Sequence, residues 1–261
     1  MLTRKLTATL ITLACASAAQ AGGSSAARVS AFAKLPDWSG IWQSAAWPLG
    51  VSGRPVGGEP QLRATLQLVR PPPYNASSEA TYEAGLKNTE ALARDALTFK
   101  VCARSFPALM EAPWMFQVAV LPEETLLIFE NDQVRHIRTD GRPHPDADSL
   151  WPTRLGDSIG HWDGDTLVID TIARRLDQLA PRAPLSVLSE GAHFTERLRR
   201  VSADRLEDEL TIDDPATLAH PWHMTLAYTR VTELTHLLPY DCTENDRNPV
   251  VDGKMLITTP P

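Results

Sequence analysis

The chain has almost no cysteine, no excess of positive charge and, beyond its first residues, no long apolar run. Each absence removes a class of protein. Lysine and arginine number 25 against 32 acidic residues, a formal net charge of −7. Nucleic acid, whose phosphates select basic surfaces, is therefore not an expected partner. No later stretch approaches the roughly 20 apolar residues of a membrane-spanning helix, so no transmembrane segment is expected. There is no glycine-rich phosphate loop, no G-x-S-x-G elbow and no H-E-x-x-H helix. Those gaps set aside the familiar nucleotide enzymes, serine hydrolases and zinc proteases. No internal repeat is present either.

What is present begins with an export signal. Arg4 and Lys5 precede an apolar run from Leu6 to Ala16, and Ala19-Gln20-Ala21 forms a small-x-small cleavage pattern. Residues 1–21 are expected to be a cleavable signal peptide, and the mature protein to be periplasmic or secreted. Lipidation at Cys15 is disfavoured because Thr12 stands where an aliphatic residue is wanted. Removal of the signal leaves Cys102 and Cys242. In an oxidising compartment such a pair favours a disulfide. The alternative is a reactive thiol, but nothing electropositive stands beside either cysteine in the sequence.

Residues 22–34 are small and polar and are expected to be a flexible lead, with one domain over 35–261. Residues 50–73 are rich in Gly and Pro and read as irregular wrapping. Ser77 to Leu97 has helical composition. From Trp114 the texture is β, with segments bounded by turn signals. Strands are expected at Met115–Leu121, Thr125–Glu130, Gln133–Thr139, Asp157–Trp162, Asp165–Ile172, Phe194–Val201, Leu206–Ile212 and Trp222–Val231. The fold class is therefore all-β with one N-terminal helical segment. Close neighbours in sequence predict an antiparallel meander, which protects its edges best by closing into a barrel.

The strongest local signal is Asp157–Trp162, Asp163-Gly164, Asp165–Asp170. An Asp-Gly type I′ turn sets Trp162 opposite Asp165 and Asp157 opposite Asp170. Alternation then gathers Asp157, Ile159, His161, Thr166, Val168 and Asp170 on one face. Two opposed carboxylates with a histidine among aliphatic residues make an acid–base candidate. The competing reading is a solvated face, with Trp162, Leu167 and Ile169 in the core. Similar registers place Arg135 opposite Ile128 and, through an Ala203-Asp204 turn, Arg199 opposite Asp208 and Glu196 opposite Thr211. Glu196 is either an inward base or a surface partner of the basic run Arg197–Arg200. His220-Pro221-Trp222-His223 lacks a third ligand, so no metal is expected. Asp140-Gly141-Arg142-Pro143-His144-Pro145 is a rigid turn able to gate a pocket mouth with His144.

Several phrases together resemble a family of exported bacterial β-rich proteins with no settled activity. They are Asp37–Trp42, Asp140–Pro145, Ser158–Thr171, Thr195-Glu196-Arg197 and Thr211–Pro215. The resemblance implies kinship rather than a reaction. It departs at Gly156-Asp157-Ser158, where relatives carry Gly-His-Ser. Gly40-Ile41-Trp42 also resembles the opening of lipocalin-like (calycin) barrels, which implies one small ligand in the lumen.

Two functions follow as expectations. One is a cofactor-independent lyase, isomerase or dehydratase acting on a small, partly apolar organic molecule in a barrel cavity. His161, Asp157, Asp170 and Glu196 would be its catalytic residues, and Arg135, Arg138, Trp162 and His144 would bind substrate. The alternative is an exported, non-catalytic carrier of a small hydrophobic ligand.

Overall fold

The computed structural model describes residues 25–45, 72–87, 104–112, 114–175 and 187–237, together with the backbone of Val250, Val251, Lys254 and Met255. The expected signal peptide and both cysteines of the expected disulfide, Cys102 and Cys242, lie outside the described residues. Helix α1 (Ser25–Phe32) belongs to one compact unit, and everything from Leu35 onward to another. A helix thus stands where a flexible lead is expected. Its Ala-Ala-Arg core has good helical propensity. Helix α2 (Ala76–Lys87) realises the first half of the expected helical stretch; the Asn75 carboxamide caps it by accepting from Ser78 N–H at 3.0 Å. Among the described residues no helix is long and apolar enough to cross a membrane.

The unit beginning at Leu35 is mostly β. Nine strands form one ring-like sheet: β1 (Ile41–Ser44), β2 (Phe116–Val120), β3 (Glu124–Phe129), β4 (Val134–Arg138), β5 (Asp157–Asp163), β6 (Thr166–Ile172), β7 (His193–Ser202), β8 (Arg205–Asp213) and β9 (Trp222–Val231). All eight expected strands are present. The ring closes through β1, which pairs with β2 on one side and with β9 on the other. A separate two-stranded piece joins β10 (Val250–Val251) to β11 (Lys254–Met255). Interior positions alternate along each strand and are filled by Trp42, Phe116, Leu127, Phe129, Ile169, Phe194 and their neighbours, all almost wholly buried. Phe116 stands edge-on to Tyr228, with centroids 5.1 Å apart at 90°.

The expected antiparallel meander needs correction at one place. β4 and β5 run parallel, and only two residue pairs join them, Ile137 to Ser158 and Arg138 to Ile159. Residues 139–156 carry Pro143, Pro145 and Pro152, which remove ladder donors and prevent a tight return. The chain instead crosses over, as a parallel pair requires.

Three hairpin registers also differ from expectation, each for a reason in its turn. Between β3 and β4 the loop has three residues, with Asp132 at φ 62°, so Arg135 faces Leu127 rather than Ile128. Between β5 and β6 the turn residues are Gly164 (φ 61°) and Asp165, flanked by Asp163 and Thr166. Glycine at the first turn position is the II′ arrangement. Asp157 therefore pairs with Ile172, and Asp170 with Ile159. Between β7 and β8 the Ala203-Asp204 turn is as expected, but a bulge between Arg200 and Ser202 shifts the ladder beyond it. Arg199 then faces Glu207, Leu198 faces Asp208, and Glu196 faces Leu210.

Gly156 enters β5 at φ +75°, where a Cβ would meet Ile172 O and Thr171 Cγ2, each at 2.7 Å. At Gly164 the space is open. Gly156→Ala is expected to lower unfolding stability by about 2–3 kcal/mol, against about 1 kcal/mol for Gly164→Ala. Urea denaturation of the two variants checks the difference; equal losses would mean that backbone conformation alone, not contact, decides the cost.

Candidate functional site

β4, β5, β6 and β7 carry polar side chains on both faces, and the faces differ in chemistry. On the outer face lies a chain of charged and imidazole groups. Arg138, the last residue of β4, donates through Nη2 to Asp157 Oδ1 at 2.7 Å and through Nη1 to Oδ2 at 2.9 Å. This fork geometry suits a carboxylate and fixes its plane. His144 arrives from the crossover and places Nδ1 2.5 Å from Asp157 Oδ1 and Nε2 3.1 Å from Asp170 Oδ1. His193, the first residue of β7, places Nε2 2.8 Å from the same Asp170 oxygen. The order is Arg138, Asp157, His144, Asp170, His193. Its inner end is well covered, with 15% of the Asp157 side chain exposed, whereas 44% of His193 is exposed.

Burial works to raise the Asp157 carboxyl, but hydrogen bonds from Arg138 and His144 outweigh it and hold the group below the usual carboxylate range. The same hydrogen bond raises Arg138 above its ordinary value.

Beside this chain is an open depression of about 430 Å³. It lies between the start of β4, at Gln133, Val134 and His136, and the segment entering β5, at Thr153, Leu155 and Gly156. Arg138, Asp157 and Ser158 complete it. The crossover wall is pinned from behind: Thr153 N–H donates to Ala173 O at 3.0 Å, and Phe106 N–H donates to Arg154 O at 2.9 Å.

On the inner face a second network is sealed from solvent. Arg135 donates through Nη1 to Glu196 Oε1 at 2.8 Å and through Nη2 to Glu196 Oε2. Nη2 also reaches Thr171 Oγ1 at 3.0 Å and Ser158 Oγ at 3.4 Å. The guanidinium lies over the Phe106 ring, 3.9 Å from its centroid. Arg135 is 1% exposed, and Glu196 and Asp208 are 0% exposed. Burial pushes the Asp208 carboxyl well up, and the nearby Glu196 adds to it. Burial likewise raises the Tyr228 hydroxyl, with Asp208 and Glu196 contributing. Glu111, in the 104–112 segment behind this network, is pushed by burial up to about 7, against the pull of Arg104.

The expected site residues thus separate. Asp157 and Asp170 share the outer face and are linked, but by His144 rather than by His161. His161 is exposed, paired with Val168, and stands off the linked chain. Trp162 turns inward and packs edge-on against Trp38, with centroids 5.1 Å apart. Leu167 and Ile169 are in the core and Trp162 packs against it partly buried, but the opposite face is not simply solvated, since Asp157 is 15% exposed. Glu196 and Arg135 meet, on the inner face, and neither is a surface partner of the Arg197–Arg200 run. His193 is absent from the sequence reading, and Asp208 enters it only as the residue facing Arg199, whereas it faces Leu198. The parity of β6 against β7, which sets Asp170 opposite Thr195, puts His193 on the outer face and would have found it. Asp208 was hidden by the bulge. Among the described residues no group of three or more His, Cys, Asp and Glu is arranged to hold a metal ion. No family model, curated protein or solved structure matches the chain.

Two pH effects of opposite sign follow. Asp157 has a depressed folded-state value, so its contribution is present above its ordinary value of 3.8 and is lost as pH falls. Asp157→Asn should flatten the acid limb of a stability–pH curve. Glu111 has a raised value, so the penalty of its charge is absent below 4.5 and complete above about 7. Stability should therefore fall as pH rises through that window, and fall less in Glu111→Gln. Urea midpoints measured across pH for both variants check the two signs.

Proposed function

We propose that the protein is an exported, cofactor-independent acid–base catalyst, a lyase, isomerase or dehydratase, on a lipocalin-like barrel. Its kinship with the family of exported bacterial β-rich proteins is part of this reading. Its substrate is a small, partly apolar organic molecule carrying a carbonyl or carboxyl oxygen. The site is the depression between β4 and β5 together with the outer chain, rather than the interior of the ring. The observation that carries this is the sharing of two residues: Arg138 and Asp157 line the depression and also begin the chain that ends at exposed His193.

Val134 and Leu155 offer an apolar wall, and Arg138 orients the substrate oxygen. A proton leaves the substrate for Asp157, crosses the His144 ring from Nδ1 to Nε2, and passes through Asp170 to His193 and solvent. The hydrogen bonds of 2.5, 3.1 and 2.8 Å are within transfer reach. In the last step His193 takes the proton from Asp170 at Nε2 and releases the one on Nδ1 to solvent. Glu196 has no direct part, because it is sealed behind the sheet.

A carrier remains the second reading, favoured by the same apolar wall in an open depression. The test needs no known substrate. The mature protein is incubated in deuterium oxide with a panel of small ketones, aldehydes and hydroxy acids, and proton exchange is followed by NMR. Exchange of at least one compound is expected. It should fall roughly 10²–10⁴-fold in His144→Ala and Asp170→Asn. His161→Ala should leave it unchanged. Absence of exchange across the panel, with tryptophan fluorescence still changed by a ligand, supports the carrier.

A further inference from the structure

Inside the ring one guanidinium faces two carboxyl groups. Arg135 on β4 is held through both Nη atoms by Glu196 on β7, Thr171 on β6 and Ser158 on β5, and among the described residues its buried Nε has no partner. Asp208 on β8 lies two positions along the ladder from Glu196, since Leu198 pairs with Asp208 and Glu196 with Leu210. Both Asp208 oxygens are buried, and among the described residues no donor reaches either of them. The other charged or titratable groups facing Asp208 and its neighbour Tyr228 are Glu196, Arg135, Glu209 on its own strand, and Glu111 from the 104–112 segment. A bare carboxylate is not tolerated in such a place, because an unpaired buried charge costs far more than a proton does.

We propose that Asp208 holds a proton that it donates to Glu196, and that this single proton latches the seam between β4 and β5. With the proton in place the cluster has one positive and one negative charge, and Arg135 stays tied to Ser158. Without it two negative charges face one positive charge in a dry interior. The ring then gives way between β4 and β5. Two residue pairs hold that joint, as few as join β1 to β2 and against nine between β7 and β8, but the β4–β5 joint is the one that the Arg135–Ser158 hydrogen bond crosses. Ser158 lies at the seam and also lines the outer depression, so an open seam dismantles the depression. The latch holds whether the depression is catalytic or not.

Asp208 has a raised value in the closed state and an ordinary one when the seam is open. Between those values the open population should rise about tenfold per pH unit, the slope of one released proton. Hydrogen–deuterium exchange of the whole mature chain reads this, from mildly acid to alkaline pH, after correction for intrinsic base catalysis. Peptides covering β4 and β5 should show the slope, while peptides covering β7 and β8 stay flat. Asp208→Asn should remove the slope and keep the sheet, as seen by circular dichroism. If that variant does not fold, the carbonyl stretch of a buried protonated carboxyl serves instead, recorded in Glu111→Gln, with Glu130→Gln added, to remove the other two raised acids. It should be present at neutral pH and vanish with the same midpoint as seam opening. A pH-independent seam, an unchanged slope in Asp208→Asn, or no protonated carboxyl in Glu111→Gln with Glu130→Gln overturns the proposal.

Discussion

The Arg135–Glu196 ion pair spans the interior from β4 to β7 and sets the terms for everything around it. A buried pair of this kind contributes little net stability over an apolar substitute, yet losing one partner costs about 3–5 kcal/mol because the other charge is stranded. Its neighbours are therefore constrained as well. Ser158 and Thr171 spend their hydroxyls on the guanidinium and on each other, 2.8 Å apart. Phe106 must lie flat beneath it. The strands that deliver these groups are held in one register, since a slip of one residue would turn every one of them outward.

That register also builds the outer chain. Ser158 faces in, so Asp157 faces out; Thr171 faces in, so Asp170 faces out; Glu196 faces in, so Thr195 and His193 face out. The two polar networks stand back to back on the same four strands. A disturbance of the inner pair reaches the outer groups through one or two peptide units, without any long path through side chains.

Strand content was legible in the sequence because alternation and turn residues are local signals. All eight expected strands are present, and Trp222–Val231 is matched end to end. Facing partners were less legible, because they depend on how many residues a turn consumes. Asp132 adds a third loop residue, Gly164 takes the first turn position, and a bulge precedes Ser202. The β5–β6 shift of two leaves the faces intact, which is why Asp157 and Asp170 were correctly placed together. The other two shifts are odd and exchange faces, which is why Arg135 and Asp208 were misplaced. His144 reads in the sequence as a gate and a substrate contact, not as a link between the aspartates, since nothing local tells a turn of this composition which strand pair it will cover.

The count of strands has a consequence of its own. Each antiparallel neighbour reverses direction, and a circuit with an odd number of members cannot alternate all the way round. A closed ring of nine strands must contain a parallel pair somewhere. Here the closing pair β1–β9 is antiparallel and the parallel pair is the consecutive β4–β5, which a hairpin cannot join, so the chain needs a long crossover there. In this protein the crossover is 139–156, and it brings His144 to the gap between Asp157 and Asp170. The location of the outer chain is in that sense a matter of parity. An even-numbered ring with the same hairpins would close without a crossover, and its two aspartates would have no histidine between them.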